Sequence, residues 1–339
     1  MTKKKKSKLP LVSVLVVTYN QQKYTKECLD SLRQQQYPNI EIIVVDNASK
    51  DGTQSFIQKS YPEIKLIQNK ENQYFAEGNN IGYRNSKGKY IFLLNNDAYI
   101  EKNVISKLVA YLEDNPKVGI VQNKLLYADN PKKIDSAGSF FTFTGFLFHR
   151  GYQQHLVDNN ISEVFSIKGA SMMVKREIID RIGLFDPNYK LYFEDTDLCW
   201  KSILLGYKVI YQPNSITYHH VGASSSKINL PFIDFHSFKN RILAIITNLH
   251  FSLLIIILPI HLILCIAISF IYLFKNYKNS LAILKAIVWN VKNINSTLKK
   301  RKKIQSTKQC SIKKILSLTK LPDPLYFIRF LYGYLYRKE

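Results

Sequence analysis

Glu194, Asp195 and Asp197 place three carboxylates within four positions, in the run YKLYFEDTDLCW that occupies residues 189–200. Leu191, Tyr192 and Phe193 precede the cluster and Leu198 and Trp200 follow it, so the carboxylates rest on a support that is apolar on both sides. Burial raises a carboxylate pKa and a nearby cation lowers it. Such a cluster can therefore keep one carboxylate as a general base near neutral pH while another is hydrogen-bonded. The same residues suit the first turn of a helix, where backbone N–H groups and the dipole favour acidic side chains. The two readings are compatible.

A base acts only on a substrate held beside it, and the first half of the chain supplies the frame. Residues 11–17 form a continuous run of mostly β-branched apolar residues, as in a parallel strand covered on both faces, and residues 24–35 have helical apolar spacing. Strand signals return at 40–45, 64–68 and 90–94, with helical ones at 53–60 and 76–85 between them. This alternation predicts a doubly wound α/β sheet, in which ligands bind outside the carboxyl ends of the strands. Three polar clusters stand at such ends: Thr18-Tyr19-Asn20, Asp46-Asn47-Ala48-Ser49 and Asn95-Asn96-Asp97. Taken singly, each is a set of ordinary turn residues. Their shared place after successive strands predicts one crevice. Asp97, a carboxylate flanked by amides, suits a hard divalent cation that keeps waters and takes other oxygens from substrate phosphates. The chain has neither a G-x-x-x-x-G-K-[ST] loop nor a G-x-G-x-x-G turn after its first strand, which disfavours a P-loop nucleotidase and a nicotinamide dehydrogenase.

Five stretches, VSVLVVTYN (12–20), IIVVDNASKDGT (42–53), ENQYFAEGNNIG (71–82), FLLNNDA (92–98) and GLFDPNYKLYFEDTDLCWK (183–201), resemble in order and spacing the family 2 glycosyltransferases of the GT-A fold. Within that family the chain looks most like the bacterial rhamnosyltransferase-type enzymes of cell-surface polysaccharide synthesis. The resemblance covers residues 10–240. It implies that Thr18, Tyr19 and Asn20 line the nucleotide pocket, that Asp46, Asn47 and Ser49 hold base and ribose, and that Asn79, in a GNN turn, lies near the diphosphate. Asn95-Asn96-Asp97 takes the place of the family's D-x-D motif, with Asn95 near the ribose and Asp97 on a Mg²⁺ or Mn²⁺ ion. Asp195 matches the catalytic base, with Glu194 and Asp197 as supports. Lys168-Gly169-Ala170 matches a loop beside sugar and acceptor. In His219-His220-Val221-Gly222-Ala223-Ser224, His219 is chosen by spacing for metal or phosphate. Two departures stand out: Asn95 replaces the first Asp of D-x-D, and Tyr74 stands where many members carry Gly. The implied reaction is inverting, metal-dependent transfer from a dTDP-rhamnose or UDP-sugar type of donor to a glycan acceptor. A non-catalytic sugar-nucleotide or glycan-binding protein on the same fold is the alternative.

The formal charge of +23 is concentrated: residues 275–339 hold sixteen Lys or Arg against Asp323 and Glu339. Just before them, residues 242–274 contain no Asp, Glu, Lys or Arg, a run longer than the ~20 residues that cross a hydrocarbon core. Basic residues beside an apolar segment suit the anionic face of a membrane. Lys239 and Arg241 precede the segment as Lys275 and Lys278 follow it, and the positive-inside rule favours both flanks in the cytoplasm. The expectation is a monotopic or re-entrant hairpin bent near Pro259, with a single pass as the alternative, followed by amphipathic basic helices such as residues 281–303 on the cytoplasmic face of the cell membrane. A buried helical hairpin in a soluble protein is the rival. The expected organisation is a basic arm (1–10), a transferase domain (11–240) and a membrane-associated helical tail (241–339). An acceptor linked to polyprenyl diphosphate fits that place, and a single apolar segment fits a stepwise transferase better than a processive synthase. Cys28, Cys199, Cys265 and Cys310 are scattered, which indicates neither a zinc site nor a disulfide framework. No helix-turn-helix, zinc or RNP motif points to nucleic acid.

Overall fold

The structure, a computed structural model, describes residues 9–152, 154, 159–223 and 228–321. Ser224, the basic arm up to residue 8 and the tail beyond 321 lie outside the described residues. In chain order the elements are β1 (Val12–Thr18), α1 (Gln22–Arg33), β2 (Ile40–Asp46), α2 (Thr53–Ser60), β3 (Lys65–Gln68), α3 (Tyr74–Arg84), β4 (Tyr90–Leu94), β5 (Ala98–Ile100), α4 (Val104–Asp114) and β6 (Val118–Tyr127). There follow β7 (Ile134–Ser136), β8 (Ser139–Thr142), β9 (Leu147–His149), β10 (Ser162–Glu163), β11 (Ser171–Lys175), α5 (Arg176–Ile182), α6 (Glu194–Leu204) and β12 (Lys208–His219). The last are α7 (Leu230–Asn248), α8 (Phe251–Lys275), α9 (Tyr277–Lys292), α10 (Ile294–Ser306), α11 (Ile312–Ser317) and β13 (Thr319–Lys320).

β1 pairs in parallel with β2 and β4, and β2 with β3; Thr18 lies opposite Asp46 where β1 and β2 end. β11 runs antiparallel between β4 and β6, and β12 is parallel to β6, giving the mixed order β10-β12-β6-β11-β4-β1-β2-β3. The continuous apolar run of β1 has a simple cause. Val12, Val14 and Val16 pack with Leu29, Ile57 and Leu108 of α1, α2 and α4, whereas Leu15 joins Ala76, Ile179 and Leu198 of α3, α5 and α6 on the other face. With successive side chains on opposite faces, a strand covered on both sides is largely apolar; the buried exception within it, Ser13, donates to Glu41. This is the doubly wound mixed sheet of the GT-A fold.

The C-terminal helices share these cores. α7 runs unbroken across the expected boundary at residue 240; its Leu243, Ala244 and Ile245 belong to the same cluster as Trp200 and Leu198. The bend expected near Pro259 does not occur. α8 continues through Pro259, and the chain turns instead at Leu249 and His250, where the His250 ring caps α8 by accepting from Ser252 N at 3.3 Å. A proline removes one N–H···O=C bond and crowds one carbonyl. The long apolar flanks keep all their other bonds, so the helix persists, and a re-entrant reversal inside it is excluded.

Candidate active site

The ends of β1 and β2 are knotted together. Asn20 (φ 51°) and Ala48 (φ 64°) turn the two loops in the left-handed region. Asn47 N donates to Thr18 O at 2.9 Å, Asn20 N to Ser49 Oγ at 2.9 Å and Lys50 N to Asn20 Oδ1 at 2.6 Å. Asp46 is fully buried; its Oδ1 accepts from Ser49 N at 2.8 Å and Gln54 Nε2 at 2.6 Å, while Oδ2 has no hydrogen-bond partner among the described residues. Tyr19 is exposed beside this knot. Asn47 bridges onward, donating through Nδ2 to Tyr74 O at 3.1 Å and accepting from Asn69 Nδ2 at 2.8 Å. Tyr74 has φ 58°, in the region that favours glycine, the residue that the resemblance implies here; its ring stacks on Phe232 of α7 at 5.5 Å.

The GNN turn is corrected: Gly78, Asn79 and Asn80 lie inside α3. A Cβ on Gly78 would stand 2.8 Å from Val17 Cγ1, so the glycine serves close approach of α3 to β1 rather than a turn. Asn79 Nδ2 donates one turn back to Phe75 O at 2.9 Å, and Asn80 ties α3 to Phe185 through both its N–H and its carbonyl.

At the end of β4, Asn96 donates to Gln21 Oε1 at 2.9 Å and to Thr18 and Thr25 hydroxyls at 3.2 Å, so it braces the frame. Asn95 N donates to Ala170 O at 3.1 Å, which sets the 168–170 loop against the Asn95-Asn96-Asp97 run. β5 pairs with β12 with Ala98 opposite His219, and this register carries His219 to the neighbouring Asp97: Nε2 stands 3.3 Å from Asp97 Oδ1. His220 turns the other way, its Nε2 2.9 Å from Glu27 Oε2. The second His219 nitrogen, Nδ1, meets Asp135 Oδ2 at 3.0 Å, and Asp135 Oδ1 accepts from Lys168 Nζ at 2.5 Å. Burial opposes charge on His219, yet Asp135 and Asp97 outweigh it and raise its pKa to about 9. Burial likewise opposes ionisation of Asp135, and Lys168 with His219 holds that carboxyl well below the usual range. Asp97 and His219 would be the residues to hold a divalent cation on this buried edge, the imidazole giving up its Nε2 proton to do so, since only neutral imidazole ligates a metal.

The acidic cluster opens α6, as its helix-start chemistry predicts. Asp195 accepts from Gly169 N at 3.0 Å through Oδ2 and from Thr196 N at 2.6 Å through Oδ1, and it is partly exposed, whereas Glu194 and Asp197 are buried. Burial raises the Asp195 pKa against these hydrogen bonds. Burial and then the Asp195 charge push Glu194 well above the carboxylate range, so the pair carries its charge on Asp195. Asp197 is spent on support, with Oδ1 accepting from Asn248 Nδ2 of α7 at 2.7 Å and Oδ2 paired with Lys201 at 2.5 Å.

Lys190, Tyr192 and Phe193 approach the cluster with φ of 57°, 65° and 74°. Non-glycine residues in this region cost roughly 1–2 kcal/mol each. The clamp that holds them is Asn240 of α7, whose Nδ2 donates to the carbonyls of Tyr189, Leu191 and Tyr192 at 3.0, 2.9 and 2.7 Å. Asp135 and Asn240 are the site residues that sequence reasoning missed. Asp135 stands between Ile134 and Ser136 and Asn240 between Lys239 and Arg241, so neither is set apart by its local sequence.

The family model described as Glycosyl transferase family 2 matches residues 13–183, just over half of the chain. Among curated relatives, the chain is 31% identical over 239 residues to an uncharacterised protein of Sinorhizobium fredii, covering 66% of this chain and 26% of that protein. It is 30% identical over 224 residues to an uncharacterised glycosyltransferase of Rickettsia prowazekii, covering 65% and 64%. The chain thus spans less than two thirds of either relative. Among solved structures, the mannosyltransferase PcManGT from Pyrobaculum calidifontis in complex with GDP-Man and Mn²⁺ superposes with TM-score 0.54 at 19% identity, over 98% of this chain and 89% of that one. S. aureus TarS 1–349 in complex with UDP-GlcNAc gives TM-score 0.57 at 16% identity, over 88% and 90%.

Proposed function

We propose, from the premise that this chain belongs to glycosyltransferase family 2, that it transfers a sugar from a nucleoside-diphosphate sugar to a hydroxyl of a glycan acceptor with inversion at the anomeric carbon. One observation carries this reading: the 168–170 loop is bonded on one side to Asn95, beside Asp97 and His219, and on the other to Asp195. The residues assigned to the leaving group and the base are thereby tied to one short loop. Thr18, Tyr19, Asn20, Asp46, Asn47 and Ser49 take the nucleoside, with Asp46 Oδ2 as an acceptor that has no donor of its own. Asn79 and Asn96 serve as frame beside the diphosphate. Asp195 accepts the proton of the acceptor hydroxyl as that oxygen bonds to the anomeric carbon, and the carbon–phosphate oxygen bond breaks with its electron pair passing to the diphosphate. When bound on Asp97 and His219, a divalent cation supplies positive charge to that leaving group.

Donor class is supported by the nucleotide sugars named in the two structural neighbours. A UDP- or dTDP-sugar and a lipid-linked acceptor at the cytoplasmic face of the membrane, in cell-surface polysaccharide synthesis, are our reading of the resemblance and of the apolar, basic C-terminal helices. The test is nucleoside diphosphate release from a panel of UDP-, dTDP- and GDP-sugars with lipid extract, with and without EDTA. Release from one donor, abolished by EDTA and restored by Mn²⁺, is expected. Nucleotide binding without release from any donor would favour a binding protein, and release indifferent to EDTA would remove the cation.

Asp135 acts through His219. It holds the ring through Nδ1–H, leaving Nε2 to lose its proton when a cation binds, and groups in such a position typically tune metal affinity by ~10–100-fold. Asp135→Asn is therefore expected to weaken Mn²⁺ binding by that factor, read by titration of the nucleotide-bound protein. Unchanged Mn²⁺ affinity would reduce Asp135 to a structural role.

A further inference from the structure

The outer surface of the C-terminal helices, rather than the crevice, carries an inference of its own. α8 is long and apolar enough to cross a membrane, but from Ile257 to Tyr272 one of its faces is buried against the protein. Ile257, His261, Cys265, Ile268 and Tyr272, spaced by three and four, are buried. His261 Nδ1 lies 2.9 Å from Thr144 O, and its ring leaves no room for a Cβ on Gly145, which would stand 2.7 Å from it. α9 returns alongside, packed on both α7 and α8, with Ser269 Oγ donating to Ser280 O at 3.1 Å and Asn279 Nδ2 to Asp234 Oδ2 at 2.8 Å. A crossing helix would have to abandon these contacts or carry Asp234, Lys239 and Arg241 of α7 into hydrocarbon.

The opposite faces are apolar and uncovered. On α8, Ile256, Ile263, Phe270 and Phe274 are more than half exposed. On α9, Tyr277, Leu281, Leu284, Val288 and Val291 form one exposed stripe at helical spacing, continued by Ile294 and Leu298 of α10. Lys278, Lys285 and Lys292 recur every seventh residue, which sets all three along one flank of that stripe, and all are exposed. Between residues 249 and 321 there are thirteen Lys or Arg and no Asp or Glu. A cleft of about 400 Å³ where α8 begins against α10 is lined by Phe251 and Leu298 together with Arg301, Lys302 and Lys308.

We propose that α8, α9 and α10 dock in the plane of an anionic lipid bilayer, with the outer face of α8 sunk among the acyl chains, the basic flank among the headgroups, and the whole chain on one side of the membrane. Apolar area alone would equally suit a second copy of the chain; a rim that is basic throughout repels its own copy and matches negatively charged lipid. Long lysine side chains reach the headgroups while their stems cover apolar surface. The inference is independent of the transferase reading.

The test uses the full-length chain, in a Cys310→Ser background because the other cysteines are buried. Single spin labels at Ile256→Cys, Ile263→Cys, Phe270→Cys and Phe274→Cys are bound to vesicles of phosphatidylcholine with or without phosphatidylglycerol. All four are expected at one shallow depth, and a tag at residue 339 is expected to be cut by protease added on the catalytic-domain side. A depth profile deepest at mid-helix, or a tag protected from that side, would mean a crossing and overturn the proposal. The triple variant Lys278→Glu, Lys285→Glu, Lys292→Glu is expected to bind phosphatidylglycerol vesicles at least ~100-fold more weakly, from the typical contribution of each basic residue near such a surface. Unchanged binding, or a dimer in solution that ignores vesicles, would overturn it. Nucleotide binding by the triple variant should be unaltered, which separates failure of docking from failure of the transferase assignment.

Discussion

Asp195→Asn is expected to lower turnover by ~10²–10⁴, the usual worth of a general base, with nucleotide affinity almost unchanged. The amide keeps the size of the carboxylate and one acceptor for the Gly169 N–H, but it cannot accept a proton. The pH profile makes the assignment sharper. Burial raises the Asp195 pKa, and a base works only when deprotonated, so turnover of the wild type should fall as the pH drops through a value above the ordinary carboxylate range. That acid limb should vanish in whatever activity the Asn variant retains. Glu194→Gln, which copies the protonated acid that burial and Asp195 favour at that position, should keep most of the turnover. Near-normal rates for Asp195→Asn, or a loss as large for Glu194→Gln, would move the base elsewhere.

Asp97→Asn should cost ~10²–10³ in turnover, because the charge a cation brings to a leaving diphosphate is worth several kcal/mol. Its signature differs from that of the base. Mn²⁺ affinity should fall together with turnover, and nucleoside diphosphate should bind with little dependence on Mn²⁺. With Asn95 already in place of the first carboxylate of the family motif, Asp97 supplies the carboxylate of that run, and His219, 3.3 Å away with a pKa raised to about 9, would join it as a ligand only on losing its Nε2 proton. Turnover that survives in Asp97→Asn with full Mn²⁺ dependence would exclude this position as a ligand.

The frame was legible in the sequence where structure is local or periodic. Parallel strands buried on both faces are largely apolar, and the polar residues that end them meet at one edge of the sheet, so Thr18, Asp46 and Asn95 declared their common place. His219 met Asp97 because β5 and β12 pair, which spacing from Gly222 anticipated only through the family. Asp135 and Asn240 were not legible: each works through tertiary contacts with residues 84 and about 50 positions away, and neither has a local pattern. Gly78 and Pro259 misled for the opposite reason. Both are residues with strong local meaning, a turn and a break, overruled by close packing against Val17 and by the cohesion of a long apolar helix.

The Asn240 clamp sets a rule for anyone trimming this protein. A shortened version ending at residue 240 would keep every family motif and still lack the scaffold of its base: Asn240 would sit on a severed helix, Asn248 would no longer reach Asp197, and the bond from Lys300 to Asp186 would be gone. The three left-handed residues before Glu194 would then relax at the expense of the geometry they maintain. A soluble derivative for crystallisation or inhibitor screening is better obtained by repainting the outward isoleucines and phenylalanines of α8 with polar residues than by cutting, because α7 and α10, which cutting would remove or sever, hold the loop that leads into Glu194.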